Sequence, residues 1–216
     1  MKVANGGGWM AAKEAPHWFR IALWLVAGTM AYNILEAAVA LWSGARADSI
    51  ALLGFGLDSL IETAAAALLL WRLAVEMRGG DGERVERSER RVHQFVGVTF
   101  LMLALYVAIE ASWTLWNELR PEESVAGIIL AAASLLVMPL VSWGKLRSAS
   151  EIGSAALRAE AKETLACSYL SFTLLLGLVA NAAAGWWWAD PVAALLMVPW
   201  LVREGREGVS GEACCD

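Results

Sequence analysis

Histidine and cysteine are scarce in this chain, with two and three examples in 216 residues. His17 precedes the first apolar run and His93 begins the third, so neither is placed to act with Cys167. No nucleophile and base pair is evident, which argues against an intramembrane enzyme. Charged residues make up only 18% and the formal net charge is −5. The mixed-charge segments offer no long basic patch, and nucleic acid is not an expected partner. Gly6, Gly7 and Gly8 lack the lysine or strand context of a phosphate-binding or dinucleotide-binding loop.

Hydrophobic residues are abundant, at 58% with a mean hydropathy of +0.52. Runs with few or no charges cover roughly 21–43, 49–71, 94–116, 125–143 and 164–188, each long enough for a membrane helix. A last run, Pro191 to Val202, is short. Trp186 to Ala189 extend it toward the roughly 17 residues that a thin or tilted span tolerates. A re-entrant or interfacial segment is the alternative for this region, because Asp190 and Pro191 interrupt the pattern. A helical hairpin is simpler, with its turn at Trp188, Ala189 and Asp190 and with Pro191 at the first helical position. The expected fold class is therefore all-α, a polytopic membrane protein with six transmembrane helices.

Of the 17 Lys and Arg residues, all but Arg46 and Arg120 fall in the N-terminal segment, the 72–93 and 144–162 connections and the tail. Basic residues stay on the cytoplasmic side, so both termini are expected in the cytoplasm. The first span follows Arg20 without a clear cleavage site and reads as retained. The organisation expected is a cytoplasmic N-terminal lead over 1–20, a six-helix transmembrane domain over 21–203 and a short cytoplasmic tail over 204–216. The expected location is a prokaryotic inner membrane. No cysteine lies in the predicted outer loops, so a disulfide framework is not indicated. Cys214 and Cys215 are adjacent thiols without a scaffold, a weak metal signal.

Inside these apolar runs stand two i,i+4 pairs, Asp58 with Glu62 and Glu163 with Cys167. Ionisable groups at that depth are costly unless used. Asp58 and Glu62 share one helix face and can address one point, where two like charges need a counter-ion. A divalent metal or protons can serve. Glu160, Glu163 and Cys167 form a second stripe, with Glu160 nearest the cytoplasmic charge belt. Three carboxylates and a thiolate suffice for four-coordinate binding of a borderline ion such as zinc, if the helices cross there. Against this, Glu163 can snorkel to the interface and Cys167 can be a small buried hydrophobe. Asn33, Glu36 and Glu110, with Tyr106 one turn from Glu110, read as outer neighbours of the site, as a proton path or as structural polar contacts. The fourth span lacks ionisable groups and reads as scaffold, with Pro139 a potential kink.

The stretches NILEAAVALWSGARADSIALLGFGLDSLIE, LRAEAKETLACSYLS and ADPVAALLMVPWLVREG together resemble the cation diffusion facilitator family of metal transporters. In that family a DxxxD pair on helix two and an HxxxD pair on helix five bind the transported ion. By motif position these look like Asp58, Glu62, Glu163 and Cys167. Only Asp58 keeps the family's residue, and the histidine associated with zinc or cadmium is Glu163 here. Members commonly carry a further cytoplasmic domain that helps dimerisation, so a homodimer is expected to form through the membrane helices or the short tails.

The resemblance and the buried pairs both imply a divalent metal cation/proton antiporter that exports metal from the cytoplasm by alternating access. Its partners are the metal ion, protons and membrane lipid. No cofactor is expected, and the cargo is zinc, with cadmium, manganese, cobalt, nickel or iron as alternatives. A membrane metal sensor or accessory protein that does not turn over would share the same ligands.

Overall fold

The computed structural model describes residues 16–77 and 82–210. The N-terminal lead up to residue 15, Asp81, and the terminal Cys214 and Cys215 lie outside the described residues. Among the described residues the regular structure is helical: α1 (Pro16–Ala47), α2 (Ile50–Met77), α3 (Gly82–Trp116), α4 (Val125–Ile152), α5 (Ala155–Ala184) and α6 (Ala189–Ser210). In lipid every backbone polar group must be satisfied within the segment, which an uninterrupted helix achieves. The segments α1 to α5 are long and apolar enough to cross a bilayer. The chain is thus an all-α, multi-pass membrane protein. Large apolar side chains such as Trp24, Leu105, Leu136 and Leu140 stand exposed on its outer surface, where hydrocarbon covers them.

The helices outrun the apolar stretches that announce them, and the turns shrink accordingly. A loop is expected over much of 144–162, but only Gly153 and Ser154 separate α4 from α5. Gly153 takes the left-handed conformation, φ 69°, that ends a helix, and its N–H reaches Ala149 O. Ser154 then caps α5 by accepting a hydrogen bond from Leu157 N–H at 3.2 Å. The expectation that the fourth span carries no ionisable group is corrected by the same geometry. Helix α4 runs on through Lys145, which is completely buried.

The last hairpin differs from expectation as well. Helix α5 ends at Ala184, Gly185 to Trp188 make the turn, and α6 starts at Ala189, before Pro191. Trp186 and Trp188 stack in that turn with ring centroids 5.4 Å apart. Asp190 does not interrupt the helix but lies buried in its first turn. Its carboxylate accepts hydrogen bonds from the Ser49 hydroxyl and, at 3.5 Å, from Ala51 N–H. An anion at the start of α2 meets the helix's unpaired N–H groups, so Asp190 ties α6 to α2.

Helix α2 is central, packing against α1, α3, α5 and α6, while α4 pairs with α5 and α1. Leu52, Phe55, Val107, Met138, Leu170, Leu174 and Met197 fill the shared core. Helices α3 and α6 approach most closely near Gly97. A Cβ there would lie 2.6 Å from Val209 N and 2.8 Å from Gly205 O. Small residues permit such backbone contact. Because backbone cannot move aside cheaply, Gly97→Ala is expected to cost about 1–3 kcal/mol. A lowered apparent Tm in detergent micelles checks this, and an unchanged Tm refutes the close contact.

Candidate metal centre

Helices α2 and α5 cross in the bundle interior and bring Asp58, Glu62 and Cys167 together. One ligand atom from each, two carboxylate oxygens and the sulfur, lie within 4.8 Å of one another. Asp58 is 2% exposed and Cys167 0%, while Glu62 is half-buried. The spacing works because residues four apart share a helix face, so the α2 pair meets α5 as a unit. Asp58 Oδ2 is buried without a hydrogen-bond partner. Glu62 Oε2 accepts a hydrogen bond from Asn33 Nδ2 of α1 at 2.9 Å. Two carboxylates and a thiol held this close together make a donor set suited to a borderline divalent ion.

Glu163 is not among these three. It stands one turn nearer the start of α5 and lines a narrow crevice with Asn33, Glu62, Glu160 and Thr164. Glu160 is held in turn by the buried Lys145, whose ammonium donates to Glu160 Oε1 at 2.6 Å and to Thr164 Oγ1 at 2.9 Å. Sequence reasoning counted Lys145 only as a topology determinant. The signal was present nonetheless: Gly127, Ala131, Ser134, Met138, Ser142, Lys145 and Ala149 are the buried stripe of α4, at steps of three and four. Extending that stripe past the apolar run points Lys145 inward.

Glu36, read as an outer neighbour or a structural contact, has its own donors. Its carboxylate accepts from the Ser59 hydroxyl at 2.8 Å and from the Ser134 hydroxyl, and Ser134 also meets the Tyr32 hydroxyl at 2.8 Å. This network joins α1, α2 and α4 beside the cluster. Glu110 is half-buried on α3, Tyr106 is exposed, and no hydrogen bond joins them. Beyond the five apolar segments, burial pushes the Glu204 carboxyl of α6 up to about 7, with Glu207 adding to the rise and Arg203 opposing it.

A family model described as the cation efflux transmembrane domain matches residues 26–207. The chain is also similar to an uncharacterized transporter of Synechocystis sp., at 26% identity over 150 residues. That match covers 68% of this chain and 48% of the relative, so the chain spans about half the length of the curated relative it matches.

A buried ion pair punishes the loss of one partner more than the loss of both. Lys145→Met or Glu160→Leu alone is expected to cost about 3–5 kcal/mol, and the double replacement much less than the sum. Thermal unfolding of the four proteins in micelles reads the coupling. Simple additivity would mean that the pair is not energetically linked.

Proposed function

Because the chain belongs to the cation efflux family, we propose that it exchanges a divalent metal ion for protons across the membrane, exporting metal from the cytoplasm. Members of this family are transporters rather than enzymes. The observation that carries the reading is the Asp58, Glu62 and Cys167 cluster, buried in the bundle with one Asp58 oxygen unpartnered. Such an arrangement needs positive charge, and a metal ion or protons can supply it in turn.

In this reading Asp58, Glu62 and Cys167 hold the ion and Glu163 supplies the fourth ligand when α5 shifts against α2. Alternating access then moves the loaded site from one face to the other. Protons entering from outside replace the ion on the carboxylates and the thiol. The mixed oxygen and sulfur donors favour zinc, with cadmium, manganese, cobalt, nickel and iron as competitors. Helix α6 completes a six-span domain over residues 21–203, between a lead over 1–20 and a tail over 204–216. The bias of Lys and Arg supports cytoplasmic termini. Two copies pair through their membrane helices or tails, in a prokaryotic inner membrane.

Uptake into sealed, oriented proteoliposomes carrying an interior pH dye tests this. Saturable metal entry coupled to proton exit is expected, and Asp58→Asn should reduce it to the protein-free background while the protein stays folded in the membrane. Binding without flux for every metal tried would sink the antiport reading in favour of a sensor. Undiminished flux in well-folded Asp58→Asn would remove that residue from the site.

A further inference from the structure

We propose that the crevice lined by Asn33, Glu62, Glu160, Glu163 and Thr164 is a second cation station, built from oxygen donors alone and suited to a hard divalent ion such as Mn²⁺ or Mg²⁺. Two of its atoms are otherwise unexplained. Asn33 is 2% exposed; its Nδ2 donates to Glu62, but its Oδ1 is buried with no partner. Glu160 is 9% exposed; Lys145 holds Oε1, and Oε2 is likewise buried with no partner. Buried acceptors are rarely left unsatisfied, and those that are call for an ion, a water or a function. Here both residues line one crevice together with Glu62 and Glu163, whose carboxylates need a cation or protons in a medium where charge is costly.

The donor chemistry separates this station from the neighbouring cluster. Carboxylate, amide and hydroxyl oxygens suit hard cations, whereas the Cys167 sulfur moves the other site toward softer ones. Lys145 acts as a tethered cation. It fixes one Glu160 oxygen and the Thr164 hydroxyl in place, while the second Glu160 oxygen stays buried without a partner. Glu62, and Glu163 once α5 shifts, belong to both sets, so an ion that has exchanged part of its water here reaches Asp58 and Cys167 by swapping ligands one at a time. This last step rests on the reading of the bundle as a divalent-cation transporter; binding at the station does not.

The experiment uses the full chain in lipid nanodiscs, with Cys214→Ser and Cys215→Ser throughout so that Cys167 is the only thiol. In a background of Asp58→Asn with Cys167→Ala, one Mn²⁺ per chain should still bind, read from the electron paramagnetic resonance signal of free Mn²⁺. Adding Asn33→Ala or Glu160→Gln should weaken that binding at least tenfold. Asn33→Ala leaves the Lys145 and Glu160 pair intact, and so reports even if the Glu160 variant fails to fold. In chains with Asp58 and Cys167 restored, the sulfur-to-Co²⁺ absorption band should survive Asn33→Ala. No Mn²⁺ binding in the background, binding unmoved by Asn33→Ala, or loss of the Co²⁺ band in that variant would each overturn a separate oxygen station. A missing Co²⁺ band in the chain with Asp58 and Cys167 intact, alongside retained Mn²⁺ binding, would support the station while refuting the thiolate centre.

Discussion

Ionisable groups inside a helical bundle in lipid must be neutralised by something within reach, and this constraint organises the whole interior. Each buried carboxylate answers it differently. Asp190 uses the Ser49 hydroxyl and the start of α2; Glu36 uses Ser59 and Ser134; Glu160 uses Lys145; Glu62 is answered only in part, by the Asn33 amide. Each solution joins different helices, so the polar interactions double as registration marks between apolar surfaces that could otherwise slide. Among the described residues, the buried side-chain atoms left without a partner are two serine hydroxyls and three oxygens, of Asp58, Asn33 and Glu160. Those three oxygens sit at the candidate metal centre and its adjoining crevice. The bundle is thus satisfied almost everywhere except where a mobile cation is proposed to pass.

The turns set which charges can meet. With only Gly153 and Ser154 between α4 and α5, residues at similar distances before and after the turn face each other. Lys145 and Glu160 are such a pair, and the Ser142 hydroxyl, donating to Ala161 O at 2.7 Å, adds a second contact between the same two helices. A longer loop would have relaxed this registration and left the ammonium to find water. The short turn is therefore part of the electrostatic design of the crevice, and Gly153 is required for it, since few residues adopt φ 69° without strain.

Asp58 and Glu62 were legible in the sequence because they break an apolar run at one-turn spacing, a pattern that hydrocarbon makes costly to keep without use. Cys167 was legible only through its partner at i−4, since a lone buried thiol looks like any small hydrophobe. Among the described residues, five apolar helices were legible from hydropathy, yet their ends were not: α4 and α5 continue past the apolar stretch into a tight turn, where hydropathy falls but helical periodicity persists. Lys145 fell into that gap. A count of basic residues treats every lysine beyond the apolar run as facing water, whereas the stripe from Gly127 to Ala149 places this one inside. The Asp190 contact with α2 is a tertiary pairing across 141 residues of separation, which no local pattern encodes.

The arrangement also bears on how selectivity and coupling can coexist in one bundle. A site of carboxylates alone binds many divalent ions with little discrimination, since affinity then follows charge and hydration more than donor type. A thiol adds preference for softer ions, but only once the ion has shed water. In the proposed arrangement an oxygen-lined crevice beside a mixed oxygen and sulfur cluster divides these tasks, with Glu62 and Glu163 common to both. Lys145 keeps Glu160 paired, so the bundle need not carry every carboxylate unpaired at once. The carboxylates of Asp58, Glu62 and Glu163 still need protons or a cation. Whatever ion leaves must be replaced by protons or by another ion. This charge requirement is what supports the proposed exchange of metal for protons.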